Sequence, residues 1–324
     1  MGEVPRIITL IPSATEVVAA CGLGDRIVGV THECDWPEEA VRGRKVCTTS
    51  DISPHTMEQN EINRAVVGSL SQGHSLYGLD FETVRALQPT HVVTQSLCDV
   101  CSVSREVVGS TCARLVAGEP EIVNLEPGTL EDVIGTVEAV GRVFGATAAA
   151  ARTVADVRAG LDAIRVAVEK HRASPVPRVA FCEWIDPVFT GGHWIPCMMR
   201  IAGAAYDMAK SGDRSAAWTP EQLVAYDPDV IIVACCGFDV ARNKRDVEAF
   251  NEKQQWWRDL RAVRTGRVFA CDANSYFARP GPRLLQGAGI IAGIVHGPKC
   301  REALGEALCP STGWTRVDTT SKLC

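Results

Sequence analysis

A chain of 324 residues, 46% hydrophobic and 22% charged, has the composition of a soluble globular protein and the length for two lobes of ordinary size. That excludes a disordered or fibrous polymer. A net charge of −6 without a Lys/Arg run excludes a phosphate-backbone binder, so no nucleic-acid partner is expected. No window reaches the apolar length of a membrane span.

In chain order, residues 6–12 (RIITLIP) read as a fully buried strand, followed by a helix capped by Ser13 or Thr15 and ended by Gly22 and Gly24. The apolar run is short, follows Glu3 and has no basic segment before it. It is therefore read as a strand and not as a secretion signal, and a cytoplasmic location is expected. Fourteen scattered cysteines then imply reduced thiols in place of a disulfide scaffold. Ser321-Lys322-Leu323 is not a peroxisomal address, because Cys324 follows it.

A second strand at 26–31 opens into the loop His32-Glu33-Cys34-Asp35-Trp36-Pro37. Residues 59–70 read as a helix and Gln72-Gly73 as a turn, with His74 a surface group. A capped helix at 80–87, the turn Gln88-Pro89-Thr90, a strand at 91–95, a loop holding Cys98 and Cys101, and a helix near 104–115 follow. A strand at 121–125 and a helix at 129–144 close the first half.

Residues 145–173 then form one long helix. Val154, Val157, Leu161, Ile164 and Val168 recur at steps of three and four, and Arg152/Asp156 and Arg158/Asp162 sit four apart. At 1.5 Å per residue such a helix spans roughly 40 Å. Pro175 and Pro177 stop it.

Beyond it the pattern restarts: Pro177-Arg178-Val179-Ala180-Phe181 echoes Pro5-Arg6-Ile7-Ile8-Thr9. A helix at 219–225, the turn Asp227-Pro228-Asp229 and a strand at 230–234 repeat the 80–95 order. A strand at 266–270 and a helix at 281–295 repeat 121–144. The expected fold class is α/β, two lobes with parallel-type sheets joined by a single long backbone helix, with a ligand cleft at the strand ends between the lobes. The boundaries are 1–143, 144–174, 175–297, and a loosely attached Cys-containing tail at 298–324.

The stretches IPSATEVVAACGLGDRIVGVTHECDWP (8–37), LQPTHVVTQ (87–95), DPDVIIVACCGF (227–238) and VRTGRVFACDANSYFARPGPRLLQG (263–287) resemble the helical-backbone class of substrate-binding proteins. Within it, the "SATE…GLGD…GV" opening and "RPGPRL" close resemble the cobalamin-binding branch. Two features are additional to the usual frame, the segment 46–78 and the tail. The resemblance implies a non-enzymatic protein that grips cobalamin or a related corrinoid between its lobes. It also implies a small-molecule partner, and because a continuous connecting helix resists bending, small lobe movements on ligand binding are expected. Without an export signal, a permease partner is not expected, and the chain is expected to be a monomer or weak dimer.

A corrinoid is a large, flat, partly apolar ring with amide arms, so its site needs aromatic faces and fixed hydrogen-bonding groups. Trp36, Trp184, Trp194, Phe238, Tyr276 and Phe277 offer the first; Asp35, Asp239, Asn274 and Arg279 offer the second. For Trp184 and Trp194, simple packing of the second lobe is the alternative. Trp256-Trp257 fall on a helix away from the strand ends and are read as core. Cys98 and Cys101 can hold a soft metal, form a redox pair or fill space, with His32, Cys34, Cys182, His193, Cys235 or Cys236 as possible completing ligands. His32 and His193 are the first candidates to meet a cobalt. The alternatives to a corrinoid binder are a metal-binding or metal-chaperone protein using Cys98/Cys101, and an enzyme acting on a bound tetrapyrrole-like cofactor. No nucleophile elbow, P-loop or dinucleotide fingerprint is present, and Glu183 with Asp186 is ordinary loop polarity.

Overall fold

The computed structural model of the chain describes residues 4–50, 52–54, 56–71, 77–95 and 120–319. Gln72-Gly73, His74, Cys98, Cys101, the helix expected near 104–115 and residues 320–324 lie outside them. The chain forms two compact units, one from Met1–Pro127 with Glu131–Asp156, the other from Gly128–Leu130 with Val157–Cys324.

The first unit is built on strands β1 (Ile7–Thr9), β2 (Ile27–Val30), β3 (Lys45–Val46), β6 (His91–Thr94) and β7 (Glu121–Asn124), in the order β3-β2-β1-β6-β7. Every pair is parallel. A parallel sheet is covered on both faces, so its strands read as unbroken apolar runs, and Ile7 and Ile8 are both fully buried. A separate antiparallel pair joins β4 (Thr48–Ser50) to β5 (Tyr77–Leu79). Cys47 and Leu79 pack with Ile8, Leu10, Val84 and Val92 in one cluster. The 46–78 segment is thus no appendage, because its beginning is part of this unit's core. Gly29 admits that packing: a Cβ there would lie 2.6 Å from the Cys47 sulfur.

The second unit carries β8 (Val179–Ile185), β9 (Val188–Thr190), β10 (Val230–Val233), β11 (Val268–Cys271) and β12 (Trp314–Arg316), ordered β12-β11-β10-β8-β9. Its three central strands are parallel, as expected. Both edges are antiparallel: β9 doubles back on β8 after Asp186-Pro187, and β12 runs against β11.

The internal repeat is visible atom by atom. Gln88 and Asp227 both adopt left-handed backbone (φ 42° and 39°) at the ends of the helices Phe81–Leu87 and Pro220–Tyr226. In the first unit, the Arg6 guanidinium donates to the Leu87 carbonyl (2.6 Å), and the Arg6 amide donates to Thr90 Oγ1 (2.9 Å). In the second, Arg178 donates to the Tyr226 carbonyl (2.6 Å) and its amide to Asp229 Oδ2 (2.8 Å). Asp80 and Thr219 cap the two helices at their starts, Thr219 in a capping box with Gln222.

The long helix is Thr147–His171. Its face at Val154, Leu161, Ile164 and Val168 is buried, with Val157 half-buried, as the spacing predicts. Asp162 pairs with Arg165, one turn on, as well as lying four residues from Arg158. Past its end, the Ala173 amide donates to His296 Nδ1 (3.1 Å), while His296 Nε2 meets the Ala202 carbonyl (2.8 Å). The ring is therefore neutral with its proton on Nε2.

Residues 298–319 are not a loose tail. The helix Pro298–Leu308, interrupted at Gly305, packs on the helix Leu284–His296 and buries Cys300 and Leu304. The Leu308 carbonyl lies where a Cβ on Gly289 would be, so only glycine permits this approach. β12 then completes the sheet. Sequence periodicity missed it because three residues carry no readable period.

Two predictions follow from these contacts. Ile164→Ala, which empties a fully buried site, is expected to cost about 2–5 kcal/mol in urea unfolding, while Val166→Ala, on the exposed side, changes it by less than about 0.5 kcal/mol. Burial, with a smaller contribution from Arg172, holds His296 below its ordinary 6.5. The stability tied to its neutral form is complete above 6.5 and is lost as pH falls below that value toward the lower folded one. Removing the ring in His296→Gln is expected to flatten the fall in unfolding free energy between neutral and mildly acidic pH; an unchanged slope would refute this.

Candidate functional site

In open α/β sheets the chemistry gathers beyond the carboxyl ends of the parallel strands. In the first unit that end is lined with hydroxyls. Thr9, at the end of β1, shares a 2.6 Å hydrogen bond with Thr15, in the first turn of the helix Pro12–Ala20. Thr15 Oγ1 and Thr31 Oγ1 each lie 3.2 Å from the Cys34 sulfur, and the Thr31 amide points at it from 3.4 Å. Cys34 is half-buried on this cradle, a polar seat for a thiol.

His32 is held by the 46–78 segment. Thr48 Oγ1 accepts from the His32 amide (3.2 Å) and lies 2.7 Å from Nδ1, while the Tyr77 ring sits 5.6 Å away, centre to centre. The Thr48 hydroxyl has two lone pairs and one proton, so it can serve the amide and either accept from Nδ1–H or donate to Nδ1, and it orients the ring in both tautomers. Nε2 faces Glu33 Oε1 at 3.8 Å. Asp35 and Trp36 follow on the surface, Trp36 49% exposed.

In the second unit the loop after β10 folds back over β8. The Cys236 amide donates to the Glu183 carbonyl (3.2 Å), and the Trp184 ring lies 5.2 Å from Phe238. The Arg242 guanidinium stacks on the other ring partner, 4.3 Å from the Phe238 centre, and its Nε bonds both carboxylate oxygens of Asp246 (2.8 and 2.9 Å). Phe238 is 2% exposed, so of the stacked rings only half-buried Trp184 has surface to offer. Asp239 caps the helix Val240–Lys253 through the Arg242 amide (2.7 Å). Ser215 donates to the Glu183 carboxylate, and Gly192 donates to Ser215 Oγ (3.3 Å). Tyr206 donates to the Gly191 carbonyl (2.6 Å), and burial first, then Glu183, pushes its hydroxyl well above 10.0.

Several expected site residues have other duties. Trp194 is 7% exposed, and its indole N–H donates to the Phe277 carbonyl (2.7 Å), so it packs the unit instead of lining a site. Phe238 is likewise buried, and Phe277 is buried against Phe181. His193 follows antiparallel β9, whose Gly191 bonds back to Phe181 in mid-strand (3.2 Å), and so departs from the parallel strand ends. Its backbone is left-handed (φ 50°), and burial, then Arg214, holds its ring below 6.5. Asn274 and Tyr276 lie half-buried on the short helix Ala273–Tyr276, capped by Asp272 (2.9 Å to the Ser275 amide). Burial, then Asp272, raises the Tyr276 hydroxyl. Arg279 is 9% exposed in the following loop. Cys98 and Cys101 lie outside the described residues. Among those described, no group of three or more His, Cys, Asp or Glu is arranged to hold a metal ion. No helix among them is long and apolar enough to cross a membrane.

Residues 7–275 match the periplasmic binding protein family, and the chain belongs to it. Its members are substrate-binding proteins for small molecules and not enzymes. The chain is 23% identical over 288 residues to a vitamin B12-binding protein of Vibrio parahaemolyticus, covering 87% of this chain and 86% of that one. It is 23% identical over 300 residues to an uncharacterized ABC transporter substrate-binding lipoprotein of Bacillus subtilis (91% and 81% covered). It is 25% identical over 300 residues to a cobalamin-binding protein of Halobacterium salinarum (91% and 70% covered). In fold it is similar to the periplasmic vitamin B12-binding protein of Vibrio cholerae (TM-score 0.61, 21% identity, 90% and 96% covered). It is also similar to a periplasmic haem-binding protein from Roseiflexus sp. RS-1 (TM-score 0.65, 20% identity, 94% and 100% covered).

These relatives overturn the cytoplasmic expectation. A family described as periplasmic, with a lipoprotein among the relatives, implies a place outside the cytoplasm. The run that prompted the opposite reading, Ile7–Pro12, is spent on β1 and the helix that follows, and bears on export in neither direction.

None of the ten described cysteines is in a disulfide, and only Cys34 and Cys236 reach the surface. Burial pushes Cys182 and Cys47 up to about 12. Under native conditions a maleimide is expected to label Cys236 first and Cys34 more slowly, while Cys182, Cys235 and Cys271 react only after unfolding. Peptide mass spectrometry of timed samples reads the order, and native labelling of Cys182 would contradict the fold.

Proposed function

We propose that this protein is the ligand-capturing component of an ABC importer, and that its ligand is cobalamin or a related corrinoid. The observation that carries this reading is sequence similarity running nearly end to end with proteins named for vitamin B12 or cobalamin in Vibrio and Halobacterium. The chain's own chemistry supports it. Trp36 and Trp184 are flat aromatic faces with surface left to give, the kind of face a corrin ring stacks on. His32 and Asp35, in the same loop as Trp36, and Asn274 and Tyr276, on the short helix after β11, are the polar groups offered to the amide arms. In this reading the metal belongs to the ligand. His32, oriented through Nδ1 by Thr48, is a candidate to meet the ligand through Nε2.

The test is titration of the purified protein with cyanocobalamin and aquocobalamin, followed by visible spectrum and calorimetry, with haemin and a ferric siderophore in parallel. Saturable corrinoid binding at micromolar ligand is expected, weakened about 10- to 100-fold by Trp184→Ala. Saturation by haemin or the siderophore with no response to either cobalamin would overturn the ligand assignment.

A further inference from the structure

The aromatic platform at Trp184 is held by the main chain on one side only: it pairs with Phe189 of β9, while the pairing of β8 with β10 ends two residues earlier, at Cys182 opposite Val233. What stands behind it is the turn 235–239, and one buried side chain holds that turn. Asn243, on the first turn of the helix Val240–Lys253, is fully buried. Its Oδ1 accepts from the Cys235 amide (3.0 Å), and its Nδ2 donates to the Cys271 carbonyl (2.8 Å) and more weakly to the Phe238 carbonyl (3.4 Å). The Phe238 carbonyl also accepts from the Ala273 amide (3.0 Å). The side-chain amide can be oriented in only one way here, because an amide N–H faces one end and carbonyls face the other. A single carboxamide thus ties the carboxyl end of β10 to the carboxyl end of β11. It fixes the residue, Phe238, whose ring is clamped between Trp184 and Arg242.

We propose that Asn243 is a positioning residue of the ligand site: by joining Cys235, Phe238 and Cys271 it holds the Phe238 ring behind Trp184 and so sets the aromatic face that the ligand meets. This rests on the reading of Trp184 as a ligand platform. Arg242 and Asp246 complete the clamp from the far side of Phe238. Asn243→Ala leaves the Cys235 amide and the Cys271 carbonyl without their buried partner and frees the turn to move. Phe238→Leu keeps all three Asn243 bonds and removes only the ring behind Trp184, so it tests the same idea where the first variant folds poorly.

The experiment has two readouts. Fluorotryptophan is incorporated, the Trp184 resonance is assigned with Trp184→Phe, and Trp36 in the other unit serves as the internal control. Both Asn243→Ala and Phe238→Leu are expected to shift or broaden the Trp184 signal and to leave Trp36 unmoved. An unmoved Trp184 signal in both variants overturns the proposal, whether or not any ligand is known. The second readout is a double-mutant cycle on cyanocobalamin affinity. Asn243→Ala is expected to weaken binding about tenfold in the wild-type background and much less in Trp184→Ala, because its effect passes through that ring. An equal loss in both backgrounds overturns the positioning role. Where Trp184→Ala alone costs nothing, the platform reading fails, and the fluorine shift still decides whether Asn243 sets the ring.

Discussion

Both units depend on one lock, made where a crossover helix must end and a parallel strand must begin. A helix terminates with carbonyls that have no partner within it, and its chain must reverse sharply to enter the sheet. Here an arginine just before the first strand donates to the last helical carbonyl, Arg6 to Leu87 and Arg178 to Tyr226. The carbonyl of the same arginine accepts from the residue that ends the turn, Thr90 at 2.9 Å and Asp229 at 2.8 Å. The cation also stands at the negative end of the helix dipole, which favours it modestly. The lock fixes the register of β1 on β6 and of β8 on β10. Register decides which residues reach the carboxyl ends of those strands. The positions of Thr9 and of Glu183-Trp184 follow from it.

The second copy of the lock is reinforced where the first is not. Arg261 bonds both Asp227 and Asp229 from the neighbouring turn, and the Arg261 amide joins Asp227 Oδ1 at 3.1 Å. The Asp227 carboxylate is held below its usual range by these bonds, against a desolvation that raises it. These groups are substantially exposed, so the network is worth little as pairwise charge attraction and acts mainly through geometry. The arginine and the left-handed turn residue recur in both halves, and that is why the repeat was legible as Pro-Arg-Val/Ile and Gln/Asp-Pro-Thr/Asp. Two different sequences satisfy the same backbone demand.

Where a pattern had length, it could be read. The helix Thr147–His171 keeps its apolar face for about four turns, and its burial follows the spacing of Val154, Leu161, Ile164 and Val168. Strands β9 and β12 have three residues each, and no period is defined over so few positions. At the site the limit was of another kind. Trp184, Trp194 and Phe238 look alike in sequence, each following a strand, yet only Trp184 keeps surface. β9 runs backward, which draws Trp194 into the unit, and Arg242 covers Phe238. Asn243 was invisible because no helix was read between the strands at 230–234 and 266–270. The signal that would have found it was Asp239, an N-cap residue three positions before Arg242, whose amide it accepts.

The cysteines show how composition misleads when burial is unknown. Fourteen thiols argued for a reducing compartment on the premise that exposed thiols oxidise. Oxidation requires access and a thiolate, and the fold withholds both from most of them. Cys21 and Cys309 are driven to about 11, chiefly by burial, and Cys47 and Cys182 to about 12. Cys47 fills the space beside Gly29, and Cys309 lies where Gly293 leaves room for it. They behave as small apolar side chains chosen for volume. Burial, and not number, decides which of these thiols can react, so their number does not bear on compartment. Cys34 differs in kind, being half-exposed and facing two hydroxyls and an amide at the end of β2. Such a seat favours a polar sulfur over a buried one, which sets it apart from the thiols of the core.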